Sequence, residues 1–194
     1  LHYCDFIMMI YGGKAERIGI ESFSSFDYSE VFMIKDWAQS ILEAAVILLL
    51  LYIFLWPVSV VGVSMYPTLN DKDRVVISRF SAMNGTYDRG DLIVFDADNY
   101  KEDMVKRVIA FGGESLEIKD GKIYIDGQEL DEDYILGYTD GQVSMKIPED
   151  MVFVMGDNRT NSEDSRMFGP VDSEDIYGKV IFRFFPLNKV TLFD

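Results

Sequence analysis

Histidine and cysteine are almost absent from this chain: His2 is the only histidine in 194 residues, and Cys4 the only cysteine. A serine hydrolase built from it must do without the usual serine–histidine base. One cysteine excludes an intrachain disulfide and gives no redox compartment. His2 and Cys4 are also the only soft metal ligands, both at the extreme N-terminus, so neither a metal site nor a cofactor is expected. Positive charge is scarce too, with 18 Lys and Arg against 33 Asp and Glu, a formal net charge of −15. Residues 1–56 carry a net −4 and the remainder −11, and no basic stripe is left to neutralise phosphates. Nucleic acid is therefore not an expected partner. The acidity reads as a solvated surface, and a hydrophobic content of 48% argues against disorder.

Residues 1–37 read as a weakly structured tail of scattered glycine, serine and acids. A chain opening on Leu1 reads as clipped or misread at its start, with Met33 an alternative start. What is present next is an apolar run. Residues 38–56 read as a transmembrane helix in which Glu43 is the only charge, and Ala44–Trp56 has none. Thirteen uncharged residues are short against the ~20 of a membrane span. Counting from Trp37, with Glu43 snorkelling, gives 20 positions. A cleaved signal peptide fits poorly, because no positive n-region precedes the run and no small-x-small site follows it directly. A buried core helix is the other alternative, but apolar residues on every side favour the bilayer. Lys35 before the span and Lys72 and Arg74 after it leave its orientation unread.

From Pro57 about 138 residues remain, enough for one ordinary domain. Short β-branched runs recur: Val58–Val63, Arg74–Ser78, Leu92–Phe95, Val105–Phe111, Met151–Met155 and Val180–Phe185. Leu116–Lys119 and Lys122–Ile125 alternate around Asp120-Gly121, and Asp126-Gly127 repeats the device, since glycine accepts the positive φ of a tight turn. This spacing predicts a mostly β, antiparallel-sheet or barrel-like domain over 57–194, with a small hairpin insert at about 112–150.

Chemistry concentrates in three segments. Ser64, in Ser64-Met65-Tyr66-Pro67-Thr68-Leu69, follows a strand-like run and a glycine. Its hydroxyl is a poor nucleophile until a base takes its proton. Lys106, 42 positions later in Asp103-Met104-Val105-Lys106-Arg107-Val108-Ile109, sits in apolar company that can lower an amine pKa by several units. Taken singly, each is more often a turn serine or a solvated lysine. The third segment, Gly156 to Arg166, packs turn formers, hydroxyls and opposite charges between an apolar strand and Phe168-Gly169-Pro170. By itself it could be a polar loop with an internal Asp164–Arg166 pair; with the other two it reads as support for a site.

In order, Gly62-x-Ser64-Met65-x-Pro67-Thr68-Leu69, Arg89-Gly90-Asp91-Leu92-Ile93-Val94-Phe95, Lys106-Arg107-Val108-Ile109, and Gly156-Asp157-Asn158-Arg159 with Ser162, Asp164, Ser165 and Arg166 resemble the boxes of bacterial type I signal peptidase. The short insert is similar to the Gram-positive members. The resemblance implies a membrane-anchored endopeptidase with Ser64 as nucleophile and Lys106 as general base. It further implies that Ser162 orients the lysine, that Asp164 and Arg166 form a supporting ion pair, and that Asp157 and Asn158 belong to the same support. The backbone N–H of Ser64 would hold the oxyanion. Gly62 stands where one branch of the family has a serine hydroxyl, so that side-chain donor is missing here. Implied partners are signal peptides of exported preproteins and the lipid bilayer, in a single-pass cell-membrane protein with its catalytic domain on the extracytoplasmic side. Substrate would add to a sheet edge, with Val58–Val63 and Met104–Ile109 as candidates. The rival classes are an inactive membrane-tethered β module, and a Ser–Lys autoprotease of the SOS-repressor type. The latter needs a DNA-binding head, and residues 1–37 show no helix-turn-helix pattern.

Overall fold

The computed structural model describes residues 28–97 and 102–193. They fall into two units, one ending at Val46 inside the first helix and one running from Ile47. Helix α1 spans Tyr28–Phe54. Within it Lys35–Phe54 is long and apolar enough to cross a membrane, and none of that stretch is buried by protein. The helix therefore starts before the expected span and stops before Trp56. Proline at 57 lacks an N–H and pushes its predecessor out of the α region, so Leu55 and Trp56 are already extended. Residues 1–27, where most of the expected tail lies, are outside the described residues.

The second unit holds two antiparallel sheets. The strands are β1 (Leu55–Ser59), β2 (Arg74–Ser78), β3 (Leu92–Ala97), β4 (Glu102–Phe111), β5 (Ser115–Lys119), β6 (Lys122–Ile125), β7 (Gln128–Glu129), β8 (Val143–Lys146), β9 (Met151–Met155), β10 (Val171–Asp172), β11 (Ile176–Phe185) and β12 (Thr191–Leu192). The large sheet runs β1-β2-β11-β3-β4-β9-β10 with β12 on β11, and the small one β7-β6-β5-β8. The small sheet is the expected insert. Both of its two-residue turns have the predicted chemistry: Asp120 and Gly121, and Asp126 and Gly127, all have φ between 50° and 81°. Such a pair of left-handed residues matches the twist of the flanking strands.

Alternation fixes the faces. In β3, Ile93 and Phe95 pack with Val108, Val152, Val154 and Ile176, whereas Leu92 and Val94 pack with Val60, Met65, Leu69, Val75, Ile77 and Val180. Phe153 and Met155, out of phase with their neighbours, join Ile109, Leu116, Ile118 and Ile123 in a third cluster that ties the small sheet to β4 and β9.

Two expected edges change. β1 ends at Ser59, and Val60 leaves the ladder to bond Asp73 and Lys72 through the main chain. β4 pairs with β3 from Glu102 to Arg107, but β9 joins it only from Arg107 onward. Arg107–Ile109 is thus interior, while Asp103–Lys106 keeps one side open among the described residues.

Candidate active site

Ser64 sits in the turn after β1. Its neighbours explain the motif: Met65 and Leu69, one helical turn apart, are 2% and 0% exposed and anchor the turn in the core. Leu69 N–H donates to Met65 O, and Tyr66 N–H to Val63 O. The Tyr66–Pro67 bond is cis. Thr68 is gripped twice, its carbonyl by Arg183 and its hydroxyl by Arg107. From the other side, Asn158 N–H donates to Ser64 O at 2.9 Å and Asn158 Nδ2 to Val63 O at 3.1 Å.

Lys106 arrives on β4, 4% exposed, and its Nζ donates to Ser64 Oγ at 2.9 Å. Burial pulls the lysine pKa down to about 8. Asp164, Glu163 and Asp157 resist this, and Arg166 assists it. Among the described residues Lys106 makes no ion pair, whereas the neighbouring guanidiniums are all matched. Arg107 takes Asp157 bidentately at 2.8 and 2.6 Å, and Arg166 takes Asp164 bidentately at 2.8 and 2.9 Å. Burial disfavours the Asp164 carboxylate. Hydrogen bonds from Arg166 and from the Gly156 N–H, the Arg166 charge and the Ser162 hydroxyl outweigh it and hold the group below its ordinary range. Permanent cations thus neutralise permanent anions, leaving one cation able to lose a proton.

The segments expected to converge do converge, with two corrections. The expected Ser162–Lys106 hydrogen bond is not formed: Ser162 Oγ is buried without a partner at hydrogen-bonding geometry, though close enough to Asp164 to favour its charge. Gly62 has φ +90°, and its N–H donates to Asp71 Oδ1 at 3.0 Å. A side chain there would be strained by the backbone whatever the free space around it, so this turn is not simply the serine version with a hydroxyl removed. The Ser64 N–H has no acceptor among the described residues, as an oxyanion donor requires.

Sequence reasoning assigned no task to Gly156, Arg107 or Arg159. Two adjacent cations in an apolar strand were a signal for Arg107. At Gly156 a Cβ would stand 2.2 Å from Ser162 Oγ and 2.6 Å from Ser64 O. The Ser64 carbonyl is backbone and cannot swing away. We expect Gly156→Ala to lower stability by about 1–3 kcal/mol and to reduce turnover by displacing Ser64 from Lys106. Thermal unfolding and kcat measured on the same preparation check this; wild-type values for both would show that the packing relaxes freely.

A serine hydroxyl 2.9 Å from a buried lysine amine, carried on an antiparallel β scaffold, is an arrangement compatible with a serine peptidase. The chain is similar to known proteins. The family described as signal peptidase, peptidase S26, matches residues 34–185. Signal peptidase I S of Bacillus subtilis is 37% identical over 171 residues, covering 81% of this chain and 92% of that one. Signal peptidase IB of Staphylococcus aureus is 36% identical over 176 residues, covering 80% and 92%. A crystal structure of a signal peptidase I from Enterococcus faecalis aligns with a TM-score of 0.45 at 32% identity, over 47% of this chain and 94% of that chain. The chain belongs to the signal peptidase I family.

Proposed function

We propose that this chain is a membrane-anchored endopeptidase that releases exported preproteins from their signal peptides, with Ser64 as nucleophile and Lys106 as general base. The 2.9 Å contact between Lys106 Nζ and Ser64 Oγ, at an amine whose pKa burial brings to about 8, carries the reading. An extended peptide lies along the open side of Asp103–Lys106, its scissile carbonyl over Ser64. Neutral Lys106 takes the hydroxyl proton as Oγ attacks, and the Ser64 N–H meets the developing oxyanion. Lys106 then returns the proton to the leaving amine, and water, activated by the same lysine, clears the acyl-enzyme. Asp157, Asn158, Asp164 and Arg166 keep the two reacting groups in register.

Helix α1 supplies the anchor, and its apolar surface, unburied by protein, suits lipid. The extracytoplasmic placement of the β domain follows from the work proposed for it. The full chain in detergent micelles should cut a peptide bearing Ala-x-Ala at the C-terminal side of the second alanine. Intact peptide after prolonged incubation would leave the inactive β module as the better reading. Protease added to intact protoplasts should degrade the β domain, and protection of that domain would reverse the orientation.

A further inference from the structure

The segment joining β7 to β8 lies outside the serine, lysine and Gly156–Arg166 motifs, yet it grips the catalytic loop at several points. Leu136 N–H donates to Asp157 O at 2.7 Å, and Arg159 N–H donates to Leu136 O at 2.9 Å, making a one-residue parallel bridge opposite Asn158. Glu132 takes both terminal nitrogens of Arg159, at 3.0 and 2.5 Å, with the two side chains 6% and 0% exposed. Arg159 Nη1 also reaches Thr139 Oγ1 at 2.8 Å, and its Nε donates to Gly156 O at 3.0 Å. The Tyr134 hydroxyl donates to Glu132 at 2.8 Å, while its ring lies 3.9 Å from the Arg107 guanidinium that holds Asp157.

These contacts end on the residues that place the nucleophile. Gly156 packs against Ser162 and the Ser64 carbonyl, and Asn158 bonds the main chain of both Val63 and Ser64. We infer that Glu132, acting through Arg159, is a positioning residue: the inserted small sheet delivers a brace that holds the Gly156–Arg159 loop, and through it Ser64, against Lys106. This rests on the peptidase reading above. The charges that act on Lys106 are Asp164, Glu163 and Asp157 on the one hand and Arg166 on the other. Glu132 and Arg159 are bonded to the loop rather than to the lysine, and the influence inferred for them passes through the loop's geometry. A buried guanidinium deprived of its carboxylate draws toward water. Water admitted beside Lys106 would return its pKa toward the ordinary lysine value.

The test uses the full chain in detergent micelles, with Glu132→Gln, Glu132→Asp, and Lys122→Gln as a control that breaks an exposed ion pair in the same small sheet. On an Ala-x-Ala peptide, Glu132→Gln should lower kcat by about tenfold to a hundredfold, the scale of a misplaced reacting group. KM should stay within about twofold, since the brace touches no substrate. The acidic limb of its pH–kcat profile should move to higher pH, Glu132→Asp should recover part of the rate, and Lys122→Gln should match wild type. Independently of turnover, the pH dependence of Lys106 acetylation by acetic anhydride, read by mass spectrometry, should shift upward in Glu132→Gln. If Lys106 titrates alike in wild type and Glu132→Gln, the pair is only a staple for the small sheet and the inference fails. If that titration shifts but the wild type cuts no peptide, the brace stands and the peptidase reading fails.

Discussion

Lys106→Arg should be as inactive as Lys106→Ala, each down by a factor on the order of 10⁴ or more in kcat/KM, the scale of removing one member of a nucleophile–base unit. Arginine keeps the charge and approximate reach but cannot give up its proton in a protein, so it cannot serve as base. Substantial turnover by the arginine variant would show that position 106 needs only a cation. In the wild type, kcat should fall about tenfold per unit as pH drops below the lysine pKa of about 8 and level off above it, because the proposed base accepts a proton only as the neutral amine. The same burial has a thermodynamic sign. The unfolded chain holds this proton up to about 10.5 and the native state only to about 8, so the unfolded state binds more protons in between and stability rises with pH across that window. Below pH 8 both states are protonated and burial of the charge costs about 3 kcal/mol, the free-energy equivalent of the shift. Lys106→Met should accordingly unfold at a higher temperature than wild type at pH 7, with the gap closing toward pH 10. An equal or lower unfolding temperature at pH 7 would mean the amine is better solvated than its surroundings indicate.

Ser64→Ala should lose peptide cleavage by a comparable factor, since its oxygen is the proposed nucleophile. The fold should survive. The side chain's hydrogen bond is to Lys106, while the turn is held by buried Met65 and Leu69 and by Asn158 on the main chain, none of which the substitution touches. Peptide binding should persist, giving an inactive chain that still competes for substrate. Turnover above about one per cent of wild type would move the nucleophile elsewhere, given what covalent hydrolases lose without theirs.

How far the sequence carried the reading depended on the range of the forces involved. Local chemistry was legible. Asp120-Gly121 and Asp126-Gly127 announced their turns, and β2 and β9 ran between the residues that alternation and β-branching marked. Pro57 ended the helix, but the helical stretch before Trp37 was masked by polar residues that break the apolar pattern without breaking the helix. Ser64 and Lys106 stood out through composition, the absence of a histidine base foremost. Glu132 did not, because its partner lies 27 positions away and nothing local distinguishes a carboxylate that will be buried against an arginine from one that faces water. Gly62 was visible as a residue but its φ was not, and its dihedral decides what a side chain there would do. The Ser162 contact inferred by resemblance was a matter of ångströms, a scale that a motif does not record.

The open side of β4 is short. Asp103–Lys106 offers four residues, about 13 Å of strand, before β9 closes the ladder, and only alternate backbone groups face outward. A peptide docked there would make few main-chain bonds, so its dwell time should be brief and its severed halves should depart without a long ladder to dismantle. The grip that speeds departure is also poor at capture from dilute solution. Confinement fills that gap: a protein and a substrate that share one bilayer meet at a local concentration that bulk solution does not reach. On the proposed reading the apolar helix would then be a kinetic component as well as a tether. Severed from it, the β domain should need far more peptide to reach the same rate, with the chemical step at Ser64 unchanged.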